Sequence, residues 1–324
     1  MKFKLDYFLT GLVLVVIIGF LFPRLGASGG PLQLDQVTDY GIFVVFLLYG
    51  LTLAPEKMLA SVRNYRVHIA IQALTFLIFP VVVLAVLAAA PDFFPEPVEM
   101  GLFYVAALPS TVSSSVAMVS LARGNVPAAL FNATLSSLIG VVATPIWMSW
   151  YLQSVGVSMP LLPTLTKVAL AVILPIILGQ IGRIWLSGWI KRNGYWVKHI
   201  DRVIILAIVL NSFSDATVGG VWTAHDPMVL VEIAVAAILL FFFIYAIAFG
   251  LSRLLGFNRE DEIACIFCGS KKSLAVGVPL APVIFGAMPD LGLIIAPIMV
   301  FHFFQLLIVS GIAARYAKGA PAAA

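Results

Sequence analysis

The chain has 324 residues, of which 62% are hydrophobic and only 10% are charged, and its net charge at pH 7 is +4. Soluble domains usually carry about 25% charged residues. The composition therefore excludes a soluble multidomain protein. It predicts an all-α polytopic membrane protein that lies in the lipid bilayer and has no nucleic-acid partner.

About 20 predominantly apolar residues are needed for a helix to cross a bilayer. On this template we predict ten transmembrane helices, and the whole chain, 1–324, then forms a single transmembrane unit. In chain order the predicted spans are 7–23, 39–54, 67–90, 100–122, 126–151, 161–183, 200–218, 228–253, 261–286 and 291–314.

The charges between these spans fall on alternating sides. If the N-terminus is cytoplasmic, the basic residues on the cytoplasmic side are Lys2, Lys4, Lys57, Arg63, Arg66, Arg123, Arg183, Lys191, Arg192, Lys198, Arg202, Arg253, Arg259, Arg315 and Lys318. The opposite side holds Arg24 as its only basic residue and most of the acidic ones. This asymmetry follows the positive-inside rule. We therefore expect both termini in the cytoplasm and the protein in the bacterial inner (plasma) membrane.

Ten spans with both ends inside allow two five-span halves of opposite orientation, an inverted repeat that is typical of secondary transporters. Spans 4 and 9 then correspond, and both are interrupted. Span 4 contains Leu-Pro-Ser-Thr-Val-Ser-Ser-Ser-Val-Ala at 108–117, and span 9 contains Phe-Cys-Gly-Ser-Lys-Lys-Ser-Leu-Ala at 267–275. The two stretches align when Ser115 is set against Ser273. Paired interruptions of this kind predict the binding site of a transporter.

Two lysines, Lys271 and Lys272, lie inside span 9. Charged side chains at bilayer depth are costly and mark functional sites by default. Adjacent helical residues point about 100° apart, so both lysines can face one cavity only if the helix is unwound there. We expect one of them to contact the solute and the other to reach water or a carbonyl group. The alternative is that both snorkel toward an interface.

A broken helix exposes unpaired N–H groups, which attract anions, and unpaired C=O groups, which attract cations. If the two breaks cross near mid-membrane, they form a compact polar cavity. The candidate substrate- or ion-binding residues at the breaks are Ser110, Thr111, Ser113, Ser114, Ser115, Ser270, Lys271, Lys272 and Ser273. The repeat also brings Asn132 of span 5 and His302 and Gln305 of span 10 near them.

Acidic residues are nearly absent from the predicted spans. Glu232 lies close to an outer end, and Glu260, Asp261 and Glu262 lie at the inner mouth of span 9. The spans therefore offer little from which a sodium or proton site with buried carboxylates could form. An ammonium group beside unwound carbonyls can instead take the place of a metal cation, bind an anionic solute, or release a proton.

These motifs resemble the bile acid:sodium symporter superfamily, in particular its SBF-like branch, over essentially the whole chain. The resemblance lies in 108–115, in Leu-Ala-Arg-Gly-Asn at 121–125, in 269–275, in Pro-Ile-Ile-Leu-Gly at 175–179 and in Tyr-Gly-Leu-Thr-Leu at 49–53. It implies ten helices in two inverted repeats, with spans 4 and 9 crossing. It also implies a core domain (spans about 67–151 and 228–314) that moves against a panel domain (spans about 7–54 and 161–218). Family substrates are mainly organic anions, usually coupled to sodium at two sites.

The chain differs from the sodium-coupled relatives at the positions of their sodium ligands. Their span-9 break reads Glu-Thr-Gly-x-Gln-Asn, and aligning Gly269 puts Phe267 at the acid and the two lysines at Gln and Asn. The remaining departures are Ser115-Val116 in place of Ser-Asn in span 4, and Ala129 and Ala133 in place of Ser and Thr in span 5. Sodium binding is therefore not carried over from the family.

The sequence thus predicts a secondary active transporter of a small organic anion that works by alternating access, without a cofactor and with its coupling ion open. One alternative is a sodium-coupled, bile acid-like symporter that uses backbone carbonyls and serines. A second is a regulatory membrane protein that does not transport. A Ser–Lys hydrolase dyad, for example Ser115 with Lys271, is disfavoured because the spans show no intramembrane hydrolase arrangement. We predict that the protein is not an enzyme.

Overall fold

A computed structural model of the chain describes residues 7–52, 64–91, 93–156, 161–224, 226, 228–286, 288 and 290–318. Within these ranges every regular element is a helix and none is a strand, which confirms the all-α prediction. Seven helical segments of the described residues are long and apolar enough to cross a membrane. The protein is therefore a polytopic membrane protein, and the count of ten spans stays a prediction. Several residues that entered the topology prediction lie outside the described residues: Lys2, Lys4, Leu53, Ala54, Lys57, Arg63 and Asp92.

The helices are given labels in chain order, with π marking two short π-helical turns. They are α1 Tyr7–Leu21, α2 Pro23–Gly26, α3 Leu34–Thr52, α4 Tyr65–Ala73, π1 Leu74–Ile78, α5 Phe79–Ala89, α6 Glu96–Ala107, α7 Ser113–Leu121, α8 Val126–Ser154, α9 Leu161–Val168, π2 Ala169–Ile173, α10 Leu174–Val218, α11 Val221–Ala224, α12 Met228–Leu254, α13 Arg259–Gly269, α14 Leu274–Phe285 and α15 Leu291–Lys318.

The segment 184–199, predicted to be a loop between spans 6 and 7, is instead helical. Helix α10 runs through it, and only Asn193, with φ −108° and ψ 19°, leaves the helical region. The segment contains no proline, so no backbone donor is removed there. Asn193 therefore marks a kink at which two helices of α10 join.

The chain divides into two compact units. Unit 1 comprises Met1–Leu53, Ser149–Val229 and Gly277–Ala296, and unit 2 comprises Ala54–Met148, Leu230–Val276 and Pro297–Ala324. The helix interruptions at 108–112 and 270–273 both belong to unit 2.

In unit 1, helices α3 and α10 touch backbone to backbone. A Cβ atom on Gly50 would collide with the main chain of Ile176, and one on Gly179 would collide with the carbonyl oxygen of Leu47. The side chain of Gln180 donates a hydrogen bond to Gly50 O. Small residues permit such close helix packing in membranes, where burial of apolar surface drives little association.

In unit 2, the helices are interrupted at the two positions that the sequence marks. Helix α6 ends at Ala107 because Pro109 lacks an N–H group and forces the residue before it out of the helical region. Leu108 is accordingly extended, with φ −70° and ψ 154°, and α7 begins only at Ser113. Helix α13 ends at Gly269 and α14 begins at Leu274. Lys271 and Lys272 therefore lie on non-helical backbone.

A third irregularity lies in the turn π1. The N–H group of Phe79 donates to Leu74 O, five residues back, so it does not reach Thr75 O. Pro80 has no N–H group, so Phe76 O also loses its α-helical donor. Two main-chain oxygens are thereby released to side chains of other helices, and Trp147 Nε1 donates to one of them, Phe76 O, at 2.9 Å.

Candidate functional site

The two interruptions meet and satisfy each other's backbone groups. Ser273 N donates to Pro109 O at 2.9 Å, and Ser110 Oγ donates to Cys268 O at 2.6 Å. One bond runs from the second break to the first and the other runs in the reverse direction. Because buried backbone groups need partners, these bonds hold the two breaks together.

Lys272 fills a cluster of main-chain oxygens that we call the carbonyl cage. Its Nζ donates to Ala106 O at 2.6 Å, to Thr75 O at 2.8 Å and to Leu108 O at 2.8 Å. The ammonium also lies 4.2 Å from the centroid of the Phe79 ring, a cation–π distance. An ammonium group has three N–H donors, so all of them are satisfied although the residue is 0% exposed.

The cage oxygens are free for reasons that the local sequence supplies. Thr75 O is released by the turn π1, and Ala106 O and Leu108 O are left over where Pro109 ends α6. The C-terminal end of a helix carries partial negative charge, which favours a cation there. The carbonyl group between them, Ala107 O, accepts a hydrogen bond from Thr144 Oγ1 at 2.8 Å.

Gln305 holds the main chain of Lys272. Its Oε1 accepts from Lys272 N at 2.9 Å, and its Nε2 donates to Lys272 O at 2.8 Å. The same Nε2 lies 2.7 Å from His302 Nδ1. A single amide side chain thus replaces the hydrogen bonds that the backbone loses where the helix is unwound.

Lys271 has different surroundings. It is also 0% exposed, but within the described part of the chain its Nζ makes one hydrogen bond, a long one of 3.3 Å to Ser114 Oγ. Ser114 donates in turn to Thr111 Oγ1 at 2.7 Å, and Thr111 Oγ1 lies 2.8 Å from Ser115 Oγ. Burying an uncompensated charge costs several kcal/mol even after the surroundings relax. This ammonium therefore favours an anionic partner.

The first turn of α7 adds to the positive potential at Lys271. Val112 precedes this helix and makes no side-chain cap to it. The N–H groups of a first turn have no intrahelical acceptors, and together with the helix dipole they favour negative charge. Ser114 lies in that turn, so the ammonium of Lys271 and the start of α7 face the same space.

The structure gives the other candidate residues different roles. Ser270 Oγ donates to Ile266 O at 2.7 Å and so closes the end of α13. Asn132 is buried in α8 and contacts His68 Nδ1 at 2.7 Å and Gln72 Nε2 at 3.1 Å, not either lysine. The side chain of Ser113 is exposed. The snorkelling alternative for the lysines is wrong, since both are fully buried.

Sequence reasoning missed Phe79, Ser136 and Thr144, and it noted Thr75 only as a polar residue of span 3 with either a structural or a site role. Ser136 Oγ accepts from Ser110 N at 2.9 Å, where α6 is broken. The Phe-Pro pair at 79–80, within an apolar span, was a readable signal for a released carbonyl group. No sequence signal shows which carbonyl oxygens converge on one ammonium, because they come from separate segments of the chain.

The side chains at the positions of the family's sodium ligands offer few oxygen atoms. Phe267, Ala129 and Ala133 are fully buried and apolar, and the two lysines contribute cations. In the described residues there is no group of three or more His, Cys, Asp and Glu side chains that could hold a metal ion. The side chains at these positions are therefore apolar or cationic.

An all-helical membrane protein in which two interrupted helices meet around buried charge has the architecture of secondary transporters. The chain belongs to the SBF-like CPA transporter family, whose model matches residues 6–318. The protein is accordingly a membrane transporter of this family and not an enzyme.

Three relatives illustrate the family. The chain is 36% identical over 317 residues to an uncharacterized protein of Pseudomonas aeruginosa, with 98% of this chain and 94% of that protein covered. It is 34% identical over 316 residues to the putative symporter YfeH of Escherichia coli, with 97% and 93% covered. It is 29% identical over 321 residues to sodium/bile acid cotransporter 7 of Xenopus tropicalis, with 95% and 91% covered.

Proposed function

We propose that the protein is a secondary active transporter of a small organic anion, that it works by alternating access, and that it does not use two-sodium coupling. The observation that carries this proposal is the contrast between the two lysines at the crossing point. Lys272 is fully satisfied by main-chain oxygens, while Lys271 has one long hydrogen bond to Ser114 Oγ.

The anionic charge of the solute follows from Lys271. A charge-assisted hydrogen bond to a carboxylate or sulfonate is about twice as strong as a neutral one, and it would also relieve the cost of the unpaired buried ammonium. The hydroxyl group of Ser114 and the first turn of α7 lie beside Lys271 and can share the same anionic group. Such a site prefers anionic over neutral solutes of similar shape.

Independence from sodium follows from Lys272. Its ammonium holds main-chain oxygens that would otherwise be available to a free cation, and a tethered cation cannot leave on the other side of the membrane. Phe267, in place of the acidic ligand of the relatives, removes a further oxygen donor. The family's sodium-site motif, by resemblance, has oxygen ligands at positions where this chain has Phe267, Lys271 and Lys272.

The remaining architecture belongs to the same proposal. The moving core domain comprises the spans at about 67–151 and 228–314 and the panel domain those at about 7–54 and 161–218, within ten spans in two inverted repeats. Units 2 and 1 follow this division in large part, but Gly277–Ala296 groups with unit 1. Both termini face the cytoplasm, and the protein lies in the bacterial inner membrane. The skewed distribution of basic residues and the match over residues 6–318 support this arrangement.

The test uses purified protein reconstituted into proteoliposomes. A panel of mono- and dicarboxylates and sulfonates, including taurocholate, is first screened for thermal stabilisation, and the stabilising anions are then radiolabelled. We expect saturable uptake that is unchanged when choline replaces sodium. Uptake that requires sodium would favour the sodium-coupled symporter, and a panel without any transported anion would favour a regulatory protein.

A further inference from the structure

We propose that the carbonyl cage is a complete binding site for a small monovalent cation, filled in this protein by Lys272, and that a free ammonium ion occupies it when the side chain is truncated. This inference deepens the proposed function. It rests on that function only in taking the carbonyl cage as the place where a coupling cation would otherwise bind. Its consequence is that one substitution turns a cation-independent protein into a cation-dependent one.

The geometry of the cage suits a free ammonium ion. The three N···O distances, 2.6, 2.8 and 2.8 Å, are short, as charge-assisted hydrogen bonds are. Rings of backbone carbonyl oxygens replace the hydration shell of monovalent cations in channel filters in the same way. The Phe79 ring, 4.2 Å from Nζ, adds a face that attracts any cation.

Bonds that do not involve the Lys272 side chain hold the cage open. The turn π1 keeps Thr75 O out of the helix ladder, and Pro109 keeps α6 from continuing. Thr144 holds Ala107 O, and Ser136 holds Ser110 N. Because these contacts remain after truncation, the oxygens stay directed at the position that Nζ leaves.

The main chain at position 272 is also independent of its side chain. Gln305 bonds the N–H and C=O groups of this residue, and alanine has both. Truncation to alanine therefore removes the ammonium and its aliphatic stem but keeps the unwound backbone. The space that is vacated leads directly to the cage.

The experiment compares Lys272→Ala with Lys272→Met, Lys271→Ala and the unmodified protein by thermal unfolding. Each is measured in equal concentrations of ammonium, sodium and choline chloride, without any organic solute. We expect ammonium to raise the midpoint of Lys272→Ala by a few degrees over choline, since a ligand that binds only the folded state stabilises it. Sodium should give a smaller rise, because the cage distances are longer than a sodium ion prefers.

The comparison variants should not respond. Methionine fills the vacated space without a charge, and the unmodified protein and Lys271→Ala keep the tethered ammonium, so ammonium and choline should be equivalent for all three. The proposal is overturned if Lys272→Ala shows no ammonium-specific rise, if sodium acts and ammonium does not, or if the unmodified protein responds equally.

The proposal can also be tested if the Lys272→Ala variant does not fold in choline. If Lys272→Ala is aggregated in choline, recovery of a monodisperse protein when it is purified in ammonium supports the proposal. Failure in every salt, while Lys271→Ala is recovered normally, contradicts it. No solute is present in these measurements, so their outcome is separate from that of the uptake assay, which alone tests anion transport.

Discussion

Lys271 and Lys272 are adjacent and equally buried, yet their ammonium groups lie in opposite electrostatic surroundings. Lys272 donates to three main-chain oxygens within 2.8 Å, and Lys271 donates to one hydroxyl group at 3.3 Å. Side chains of neighbouring residues diverge, and the unwound backbone lets each reach a different part of the crossing point. Main-chain groups therefore satisfy Lys272, whereas Lys271 keeps one long hydrogen bond, which is the contrast on which the proposed anion site rests.

The first prediction concerns uptake by a Lys271→Gln variant. Glutamine keeps a polar side chain that is one atom shorter, but it has no charge to pair with an anion. We expect the uptake of any transported anion to fall at least about tenfold, which corresponds to the loss of roughly 1.4 kcal/mol of interaction energy. Uptake into proteoliposomes at several anion concentrations measures it.

Lys167→Gln is the matched control, because Lys167 is an exposed lysine of α9. It should transport as the unmodified protein does. If both variants transport equally well, Lys271 does not bind the solute.

The second prediction concerns Gln305→Leu. Leucine has a similar volume but cannot bond the main chain of Lys272, so the buried N–H group loses its partner and the buried C=O group keeps only a long contact of 3.4 Å with His302 Nδ1. Each unsatisfied group costs about 1–3 kcal/mol. We expect a clear fall in the thermal midpoint. A midpoint like that of the unmodified protein would show that the hydrogen bonds from Gln305 to the main chain of Lys272 are dispensable.

The third prediction concerns Pro80→Ala, for which we expect a loss of stability where removal of a proline from a helix usually gives a gain. Replacing proline in a helix interior normally stabilises it, by about 3 kcal/mol. Here the new N–H group can pair with Phe76 O, the turn π1 can become α-helical, and Phe79 N can recapture Thr75 O from Lys272. We therefore expect Pro80→Ala to lower the thermal midpoint.

Pro145→Ala serves as the comparison for this change. Pro145 lies inside α8, and in the described part of the chain no side chain bonds the carbonyl group four residues before it. Its replacement should be neutral or stabilising. A higher midpoint for Pro80→Ala than for the unmodified protein would mean that the π-helical turn does not serve the cage.

The fourth prediction concerns Asp261 at the start of α13. Its buried carboxylate accepts from Asn64 Nδ2 and Asn125 Nδ2, each at 2.7 Å, and from Asn258 Nδ2 at 3.1 Å. Asp261→Ala removes the common acceptor of three amide groups, and we expect a loss of about 2 kcal/mol or more in unfolding free energy. Glu260→Gln, at the exposed neighbouring position, should change stability little, and equal effects of the two variants would refute a specific role for Asp261.

Much of the site could be predicted from local sequence. Pro109 and the polar stretch after it indicated a break in span 4, and the paired lysines indicated a break in span 9. Local rules suffice here because proline removes a donor and because charge is tolerated in a membrane only beside polar partners. Breaks are present at 108–112 and 270–273.

We expected one lysine at the solute and the other at water or a carbonyl group, but which lysine reaches the carbonyl groups could not be predicted, because this depends on contacts between distant segments. The cage takes Thr75 from one helical segment and Ala106 and Leu108 from another, and only the folded chain brings them together. For the same reason, the sequence placed Gln305 near the site but did not predict its hydrogen bonds to the main chain of Lys272. Segment 184–199 shows the converse, since its charges suggested a loop while its backbone is helical on both sides of a kink at Asn193.

Thermal unfolding of Lys271→Met and Lys272→Met, measured side by side without any organic anion, tests the central claim most directly. Methionine removes the charge from each side chain and keeps most of its volume. Lys272→Met should lower the midpoint markedly, because three buried carbonyl groups lose their donors at about 1–3 kcal/mol each. Lys271→Met should leave the midpoint unchanged or raise it, because it removes a buried charge that is poorly compensated. A midpoint for Lys271→Met that falls as far as that of Lys272→Met would contradict the account.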